Sequence, residues 1–385
     1  MKRHTLTDTH EEFRASVRDF IKREVVPDFH EWEQQGHPPR DFYRRLGELG
    51  ILGLWVPEEY GGGGATSYAY AAVLMEEIAA AGVGFGCAIP HSTLILAYLT
   101  AFASPEQKAR WLPGVASGET LLAIAMTEPG TGSDLANIST TARLAGDGSH
   151  YVLNGAKTFI SGGSVADLVL VVCRTAPRDP DNRRAGLSIL AVDTTTPGFS
   201  VGRRLEKIGL HANDLVELAF DDVVVPVDNL LGDEGRAFEY LSHNLAQERL
   251  SIALTASAAA QAAVRQTVEY VSGRTVFGKH LSSFQNTKFS LAASAATVEA
   301  MVTMTDRALE LFDAGDLAPT DAAKAKLFCT EQAGAVIDQC LQLHGGYGYI
   351  TEYPIARLYA DIRVARIYGG TSEVMKLIIA KSLGL

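Results

Sequence analysis

The sequence predicts an α+β protein in three parts: helices first, then a β domain, then a helical bundle. Three observations carry that reading. Apolar residues recur at helical spacing through residues 1–122. Over 121–227 the pattern changes to short β-rich runs separated by turn residues. From Gly235 onward the helical period returns in long segments rich in Ala, Leu and Gln, with few breakers. The domains expected are 1–122, 123–235 and 236–385.

In the first part, "THEEFRASVRDFIKREVVP" places Phe13, Val17, Phe20 and Ile21 at helical spacing and stops at Pro27. "PRDFYRRLGELGILGLWVP" behaves alike and ends at Pro57. The four glycines of "PEEYGGGGA" cannot hold a helix, so that stretch is a loop. Helical patterns resume over 68–81, 91–103 and 105–116. In the middle, "LLAIAM", "HYVLNGAKTFIS", "DLVLVVCRT", "LSILAVD" and "LVELAFDDVVVP" read as strands, with "GDGS", "APRDPDNRRAG" and "TTTPG" as turns. They fit an antiparallel meander or small barrel rather than alternating β-α-β units. No G-x-G-x-x-G opens a helix after a strand, so a Rossmann site is unsupported. The last part reads as helices over 236–272, 284–313, 319–344 and 371–382.

Bulk properties narrow the function. A chain of 385 residues, 47% hydrophobic, can bury a large core in more than one domain. A net charge of −11 argues against nucleic acid as the main partner, because phosphate binding needs a basic footprint. A few local arginines or helix N-termini can still hold an anionic ligand. The N-terminal stretch has no apolar run like that of a signal peptide, and no segment reaches the roughly 18 apolar residues of a spanning helix. A cytoplasmic protein with no membrane partner is expected. Cys87, Cys173, Cys329 and Cys340 form no C-x-x-C pair and sit in apolar sequence, as reduced core thiols do. The ten histidines show no H-x-x-x-H or H-E-x-x-H spacing, and no metal site is expected.

Four segments are candidates for ligand binding. "AMTEPGTGSDLAN" (125–137) follows a strand; Gly130 and Gly132 expose backbone N–H groups, and Thr127, Thr131 and Ser133 add hydroxyls. Such a loop can wrap a diphosphate or a heteroaromatic edge, or simply connect two strands. "GAKTFISGG" (155–163) sets Phe159 before Ser161; Phe159 reads equally as β-domain core. "SGRTVFGKHLSSFQ" (272–285) groups Arg274, Lys279 and His280 between two helices, as a phosphate site or a solvated cluster. "QLHGGYGYITEYP" (342–354) ends a helix with more glycines than one cap requires.

Taken in order, "AMTEPGTGSD", "GAKTFISGG", "RTVFGK", "QLHGGYGY" and "IYGGTSE" resemble the acyl-CoA dehydrogenase family. The resemblance runs from "FRASVRDF" and "VPEEYGG" to the C-terminus. It implies a helical N-terminal domain, a central antiparallel β-barrel domain and a C-terminal four-helix bundle. It implies FAD, an acyl-CoA substrate, a homotetramer with FAD at subunit interfaces, and an electron-transferring flavoprotein as partner. By residue, it implies that Ile124 to Ser133, Gly132 included, line the flavin, with Met126 and Thr127 near the reactive ring. Ser133 would lie between cofactor and substrate, and Phe159 and Ser161 would cover the other side of the ring. Arg274, Phe284, Gln285 and the stretch from Gln342 to Gly345 and Gly346 would hold the diphosphate and adenine half for a neighbouring subunit. Thr371 and Glu373 would touch FAD again. Thr131 stands where the family more often has Ala or Gly, and a small hydroxyl fits there.

The base must be found elsewhere than usual. Many family members carry the catalytic glutamate in "YEGT", and here that position is Gly369, in "RIYGGTSEVM". In "EYLSHNLAQERLSIA" (239–253), Leu241, Leu245 and Ile252 form one helical stripe, and Glu248 lies within it. A carboxylate there needs a partner, a proton or a ligand cavity. Burial would raise its pKa, as a general base requires. The pattern leaves two readings, a core carboxylate paired with Arg249 or another arginine, and a base facing a ligand. The resemblance favours the second. The long-chain and isovaleryl-type subset joins "GGT" to a glutamate on this helix in "QER", and both "QERL" and "YGGT" are present. It implies that Gly369 leaves room for Glu248 and offers its N–H to the thioester carbonyl. Ser133, Arg249 and Gly370 would line the substrate.

The function expected is an FAD-dependent acyl-CoA dehydrogenase of fatty acid β-oxidation. Glu248 would take the α-proton, a β-hydride would pass to the flavin, and trans-2-enoyl-CoA would result. Two rivals are a flavin-dependent oxidase or monooxygenase on the same fold, and a non-catalytic acyl-CoA-binding protein that has lost its base. The intact "QERL" counts against the latter.

Overall fold

In the computed structural model, which describes residues 3–385, helices occupy both ends of the chain and strands the middle. Met1 and Lys2, which open the segment read for a leader, lie outside the described residues. The N-terminal helices are α1 (Asp8–Phe20), α2 (Phe29–Gln35), α3 (Arg40–Glu48), α4 (Ala69–Ala81), α5 (Ala88–Pro90), α6 (Leu96–Phe102) and α7 (Pro105–Ser117). Val17, Phe20, Trp32, Phe42 and Leu46 from three of them meet in one core with Ile21. Ser104 and Gln107 form a capping box on α7, with Pro105 in its first turn. The Gln107 amide also donates to the carbonyls of Asp228 and Leu230, both at 2.8 Å, tying α7 to the sheet.

Two helical expectations change. Pro27 stops α1 and its continuation, but the chain turns helical again at once as α2. The helix expected up to Pro57 ends at Glu48. A Cβ on Gly53 would meet the Ala116 Cβ at 2.7 Å, so the chain beyond Glu48 lies against α7 as turns.

The strands are β1 (Leu122–Ala125), β2 (Thr141–Leu144), β3 (His150–Ser161), β4 (Leu168–Arg174), β5 (Leu187–Asp193), β6 (Phe199–Arg204), β7 (Leu215–Pro226) and β8 (Leu230–Leu231). Their order is β6-β7-β3-β2-β4-β5-β8, with β1 beside β4. The expected antiparallel barrel is corrected in two respects. The path has two ends, so the sheet is not closed, and β1 runs parallel to β4, with Leu122 opposite Leu168. A parallel neighbour needs a long connection, and the intervening β2 and β3 supply one. Strand β4 is buried along its whole length. Leu168, Leu170 and Val172 face the core shared with α6 and α7, while Val169, Val171 and Cys173 face the other core. That two-sided burial explains the unbroken apolar run "LVLVVC".

The last part holds α8 (Ala237–Gly273), a hairpin of β9 (Thr275–Val276) and β10 (Lys279–His280), then α9 (Gln285–Asp313), α10 (Pro319–His344), α11 (Pro354–Ile362) and α12 (Ser372–Ser382). Small buried residues on α8, among them Ala253, Ala256, Ala260 and Ala263, let neighbouring helices approach closely. Met75 of α4, Met301 of α9, Ile337 of α10 and Ile355 of α11 share their core. All four cysteines are free and buried.

Candidate active site

The loop after β1 is fastened by a buried ion pair. Glu128 accepts hydrogen bonds from Ser139 N at 2.7 Å, Ser139 Oγ at 2.6 Å, Thr140 N at 2.9 Å and Lys157 Nζ at 2.9 Å. Lys157, fully buried on β3, also donates to the Met126 carbonyl at 3.0 Å. The Thr158 N–H donates to the Thr127 carbonyl at 2.9 Å, and Glu128 and Thr131 exchange both backbone bonds. Residues 126–131 are thus laid along 157–159. Burial alone would push the Glu128 carboxyl up; the Ser139 and Thr140 donors and the Lys157 charge overcome it and hold the pKa at about 2. Burial lowers the Lys157 pKa against the opposing pull of Glu128. Neither residue stood out in the sequence, where Glu128 sits in a glycine-rich loop and Lys157 in a run read as a strand.

Phe159 lies where β3 slips its register against β7, between Lys157 and Ile160. Its φ is +59° and its side chain is 61% exposed, so the β-core reading is overturned. A left-handed aromatic residue carries strain of about 1–3 kcal/mol, and such strain gathers at binding sites. Ser161, the last residue of β3, is half-buried. Ile124 and Met126 are half-buried against the core that holds Tyr98 and Leu241. Gly132 and Ser133 are exposed, and a Cβ on Gly132 would meet nothing within 4 Å. Thr131 is buried, with its hydroxyl donating to the Asn137 carbonyl at 3.4 Å. The loop beside Phe159 therefore offers an aromatic face and open backbone groups to a flat heterocycle.

A second group of residues lies apart. Arg274, Phe284, Gln342, Gly345 and Gly346 line a groove of about 810 Å³, and Gln285 starts α9 beside it. None of the residues from the β1 loop or β3 lines this groove. Tyr270 stacks on His344 with ring centres 4.3 Å apart, and the Arg274 guanidinium stands 5.6 Å from the Tyr347 ring centre. Aromatic plates beside an arginine fork suit a purine and its phosphates. Phe277, passed over in the sequence, also lines the groove; it is 96% exposed with φ +49° at the tip of the β9–β10 hairpin. The signal was "VFGK", a two-residue turn with an aromatic where a polar residue is usual. Thr371 and Glu373 sit at the start of α12, where the Thr371 hydroxyl accepts from the Val374 N–H as N-cap.

Glu248 and Gly369, 121 residues apart in sequence, meet in space. Gly369 has φ +62°; a Cβ built there would lie 2.3 Å from Ile252 Cδ1 and 3.3 Å from Glu248 Oε1. Ile252 and the Glu248 carboxyl together thus take the room that a side chain at position 369 would need. Leu241 and Ile252 are buried and Leu245 half-buried, so the apolar stripe is real. Among the described residues none hydrogen-bonds to Glu248 or forms an ion pair with it. Arg249 is buried, with Nε lacking any partner among the described residues, and does not bridge to its neighbour. Removal from water raises the Glu248 pKa above the ordinary 4.5, against the weaker lowering pulls of Lys326 and Arg249. The paired-carboxylate reading therefore fails. Among the described residues the Gly369 N–H finds no backbone acceptor. Gly370 has φ +93°, and a Cβ there would press on Met375 Cε at 2.8 Å. Lys326 of α10, which the sequence reading missed, is 1% exposed and donates from Nζ to the carbonyls of Tyr368 and Gly370.

Comparison with known proteins gives one answer along the chain. The family models for the N-terminal, middle and C-terminal domains of acyl-CoA dehydrogenase match residues 7–119, 123–223 and 235–384. The long-chain specific acyl-CoA dehydrogenase, mitochondrial, of Sus scrofa is 40% identical over 381 residues, covering 99% of this chain and 88% of that protein. The solved acyl-CoA dehydrogenase of Geobacillus kaustophilus superposes with a TM-score of 0.95 at 46% identity, over 100% of both chains. The Bacillus anthracis acyl-CoA dehydrogenase complexed with FAD gives 0.90 at 31% identity, over 98% of this chain and 68% of that one.

Proposed function

The chain belongs to the acyl-CoA dehydrogenase family and uses FAD, and from that premise we propose that it converts an acyl-CoA to the trans-2-enoyl-CoA with Glu248 as the base. The observation that carries this reading is the unpaired Glu248 carboxyl in the space above Gly369. A carboxylate with a raised pKa and no partner is poised to take a proton from the carbon next to a thioester. The free Gly369 N–H is the donor for the thioester oxygen, where negative charge gathers as that proton leaves. Ile252 walls the carboxyl on one side, Gly370 and Ser133 line the substrate, and Arg249 adds positive charge without binding the base.

Met126, Thr127, Gly132 and Ser133, with Ile124, Phe159 and Ser161, would hold the flavin ring. Arg274, Phe284, Gln285, Gln342, Gly345 and Gly346 would hold the adenine half, with Thr371 and Glu373 as a third contact. FAD, when bound, supplies the acceptor for the hydride that leaves the β-carbon. The separation of the groove from the β1 loop supports a cofactor shared between subunits of a homotetramer. An electron-transferring flavoprotein is the acceptor this reading assigns for the electrons.

Anaerobic titration of the purified flavoprotein with acyl-CoAs tests the proposal. Glu248→Gln is expected to keep FAD and bind acyl-CoA while its flavin absorbance no longer bleaches. Wild-type bleaching in that variant would remove Glu248 from the reaction.

A further inference from the structure

We propose that Lys326 is a positioning residue for the reaction: its ammonium orients and polarises the peptide unit that carries the Gly369 N–H. This rests on the roles given above to Glu248 and Gly369.

Lys326 sits on α10 among Ala322, Ala325, Cys329 and Ala333, all buried, where a charge is costly. Among the described residues it forms no ion pair. Its Nζ donates instead to the Tyr368 carbonyl at 2.5 Å and to the Gly370 carbonyl. Those two carbonyls straddle Gly369. The Tyr368 carbonyl and the Gly369 N–H are opposite ends of one planar amide. A cation on the oxygen draws electron density towards it and makes the N–H a stronger donor. The amide is trans, so anchoring the oxygen on α10 turns the N–H away from that helix. That N–H has no backbone acceptor among the described residues. Two adjacent glycines at φ +62° and +93° would otherwise leave the loop poorly defined, and the second bond fixes the next peptide.

The same charge acts on the base. Lys326 and Arg249 favour the Glu248 carboxylate and so oppose the effect of its apolar surroundings. Tyr98 of α6 and Tyr368 are the other titratable groups that feel Glu248. A lysine serving only to fill the core would neither bond the carbonyls on both sides of Gly369 nor act on the charge of the base.

The test uses FAD-loaded enzyme and phenylacetyl-CoA, a thioester with α-hydrogens and no β-hydrogen to lose. Exchange of its α-hydrogens with deuterium oxide reports proton removal without hydride transfer. FAD content and thermal melting are followed in parallel. Lys326→Met is expected to slow exchange by about 10- to 100-fold, below the loss of a direct oxyanion donor. Its acid limb is expected to move up by about one pH unit, since the carboxylate loses a stabilising charge. Lys326→Arg keeps the charge and holds the acid limb at the wild-type pH. A folded Lys326→Met with full FAD, wild-type exchange and an unmoved limb overturns the proposal. Should that variant not fold, wild type and Lys326→Arg decide. Burial lowers the Lys326 pKa to about 8, so wild-type exchange is expected to fall above that pH and the guanidinium variant to lack the fall; an alkaline limb identical in both overturns the proposal. Full exchange by Glu248→Gln would instead strike at the base assignment, leaving Lys326 judged by its own variants.

Discussion

Glu128 and Glu248 each lie near a buried lysine, and their surroundings are opposite. Glu128 accepts bonds from two backbone N–H groups, a hydroxyl and the Lys157 ammonium. Glu248 accepts none from a described residue. Lys157 bonds its carboxylate directly, whereas Lys326 spends its protons on two carbonyls and reaches Glu248 only through space. One carboxylate is held near pKa 2 and the other is raised. A satisfied buried charge builds the loop that would carry a cofactor, and an unsatisfied one is kept reactive.

That contrast can be broken most sharply at Glu248. Glu248→Gln is expected to lower the rate of flavin reduction by about 10²- to 10⁴-fold, measured by anaerobic stopped flow. Its melting temperature should not fall, because no bond is lost; a large fall would make Glu248 structural. Glu128→Ala should do the reverse. It leaves Lys157 buried and unpaired, destabilising the fold by about 3–5 kcal/mol, read by denaturant unfolding and by FAD loss. A variant as stable as wild type would show the pair to be dispensable.

Gly369→Ala sharpens the comparison from the other side. The new Cβ would meet Ile252 and Glu248 at a φ that favours glycine. A loss of about 1–3 kcal/mol in stability is expected, with slower turnover because the carboxyl is pushed aside. An unchanged rate would mean that the space at 369 does not place the base.

The smallest effects are those of pH, and they have opposite signs. The folded Glu128 has a lowered pKa, so its stabilising contribution is present above about 4.5 and is lost as the pH falls towards about 2. The folded Glu248 has a raised pKa, so its partial removal from water is a burden at neutral pH, relieved as the pH falls through that raised value. The acid limb of kcat/KM should accordingly lie above 4.5, at a pH where acid unfolding linked to Glu128 has not begun. Coincidence of the acid limb with unfolding would end the distinction between the two groups.

The site was unevenly legible. Glu248 could be found because an acid in the stripe of Leu241, Leu245 and Ile252 breaks a local rule. Gly369 could be found as its counterpart only through the resemblance, since a glycine pair has no chemistry of its own. Phe159 was ambiguous because its side of the strand depends on a register slip against β7, a strand that begins more than fifty residues later. Phe277 was passed over because exposure of an aromatic is not visible in composition.

The sequence by itself determined the three-part order of helices, strands and helices, though β2, β6, β8 and α11 escaped it. Strands β3 and β7 and helices α8, α9 and α10 follow the expected spans to within a residue or so. Hydrophobic period and breakers act between near neighbours along the chain. Only the tertiary structure decided the parallel entry of β1, the open sheet, and the partners of the buried charges. Lys157 finds Glu128 across 29 residues, and Lys326 finds the Tyr368 and Gly370 carbonyls across 42 and 44. Which of the two carboxylates, the buried Glu128 or the half-buried Glu248, is satisfied depends on donors brought together by packing, and no local pattern encodes that count.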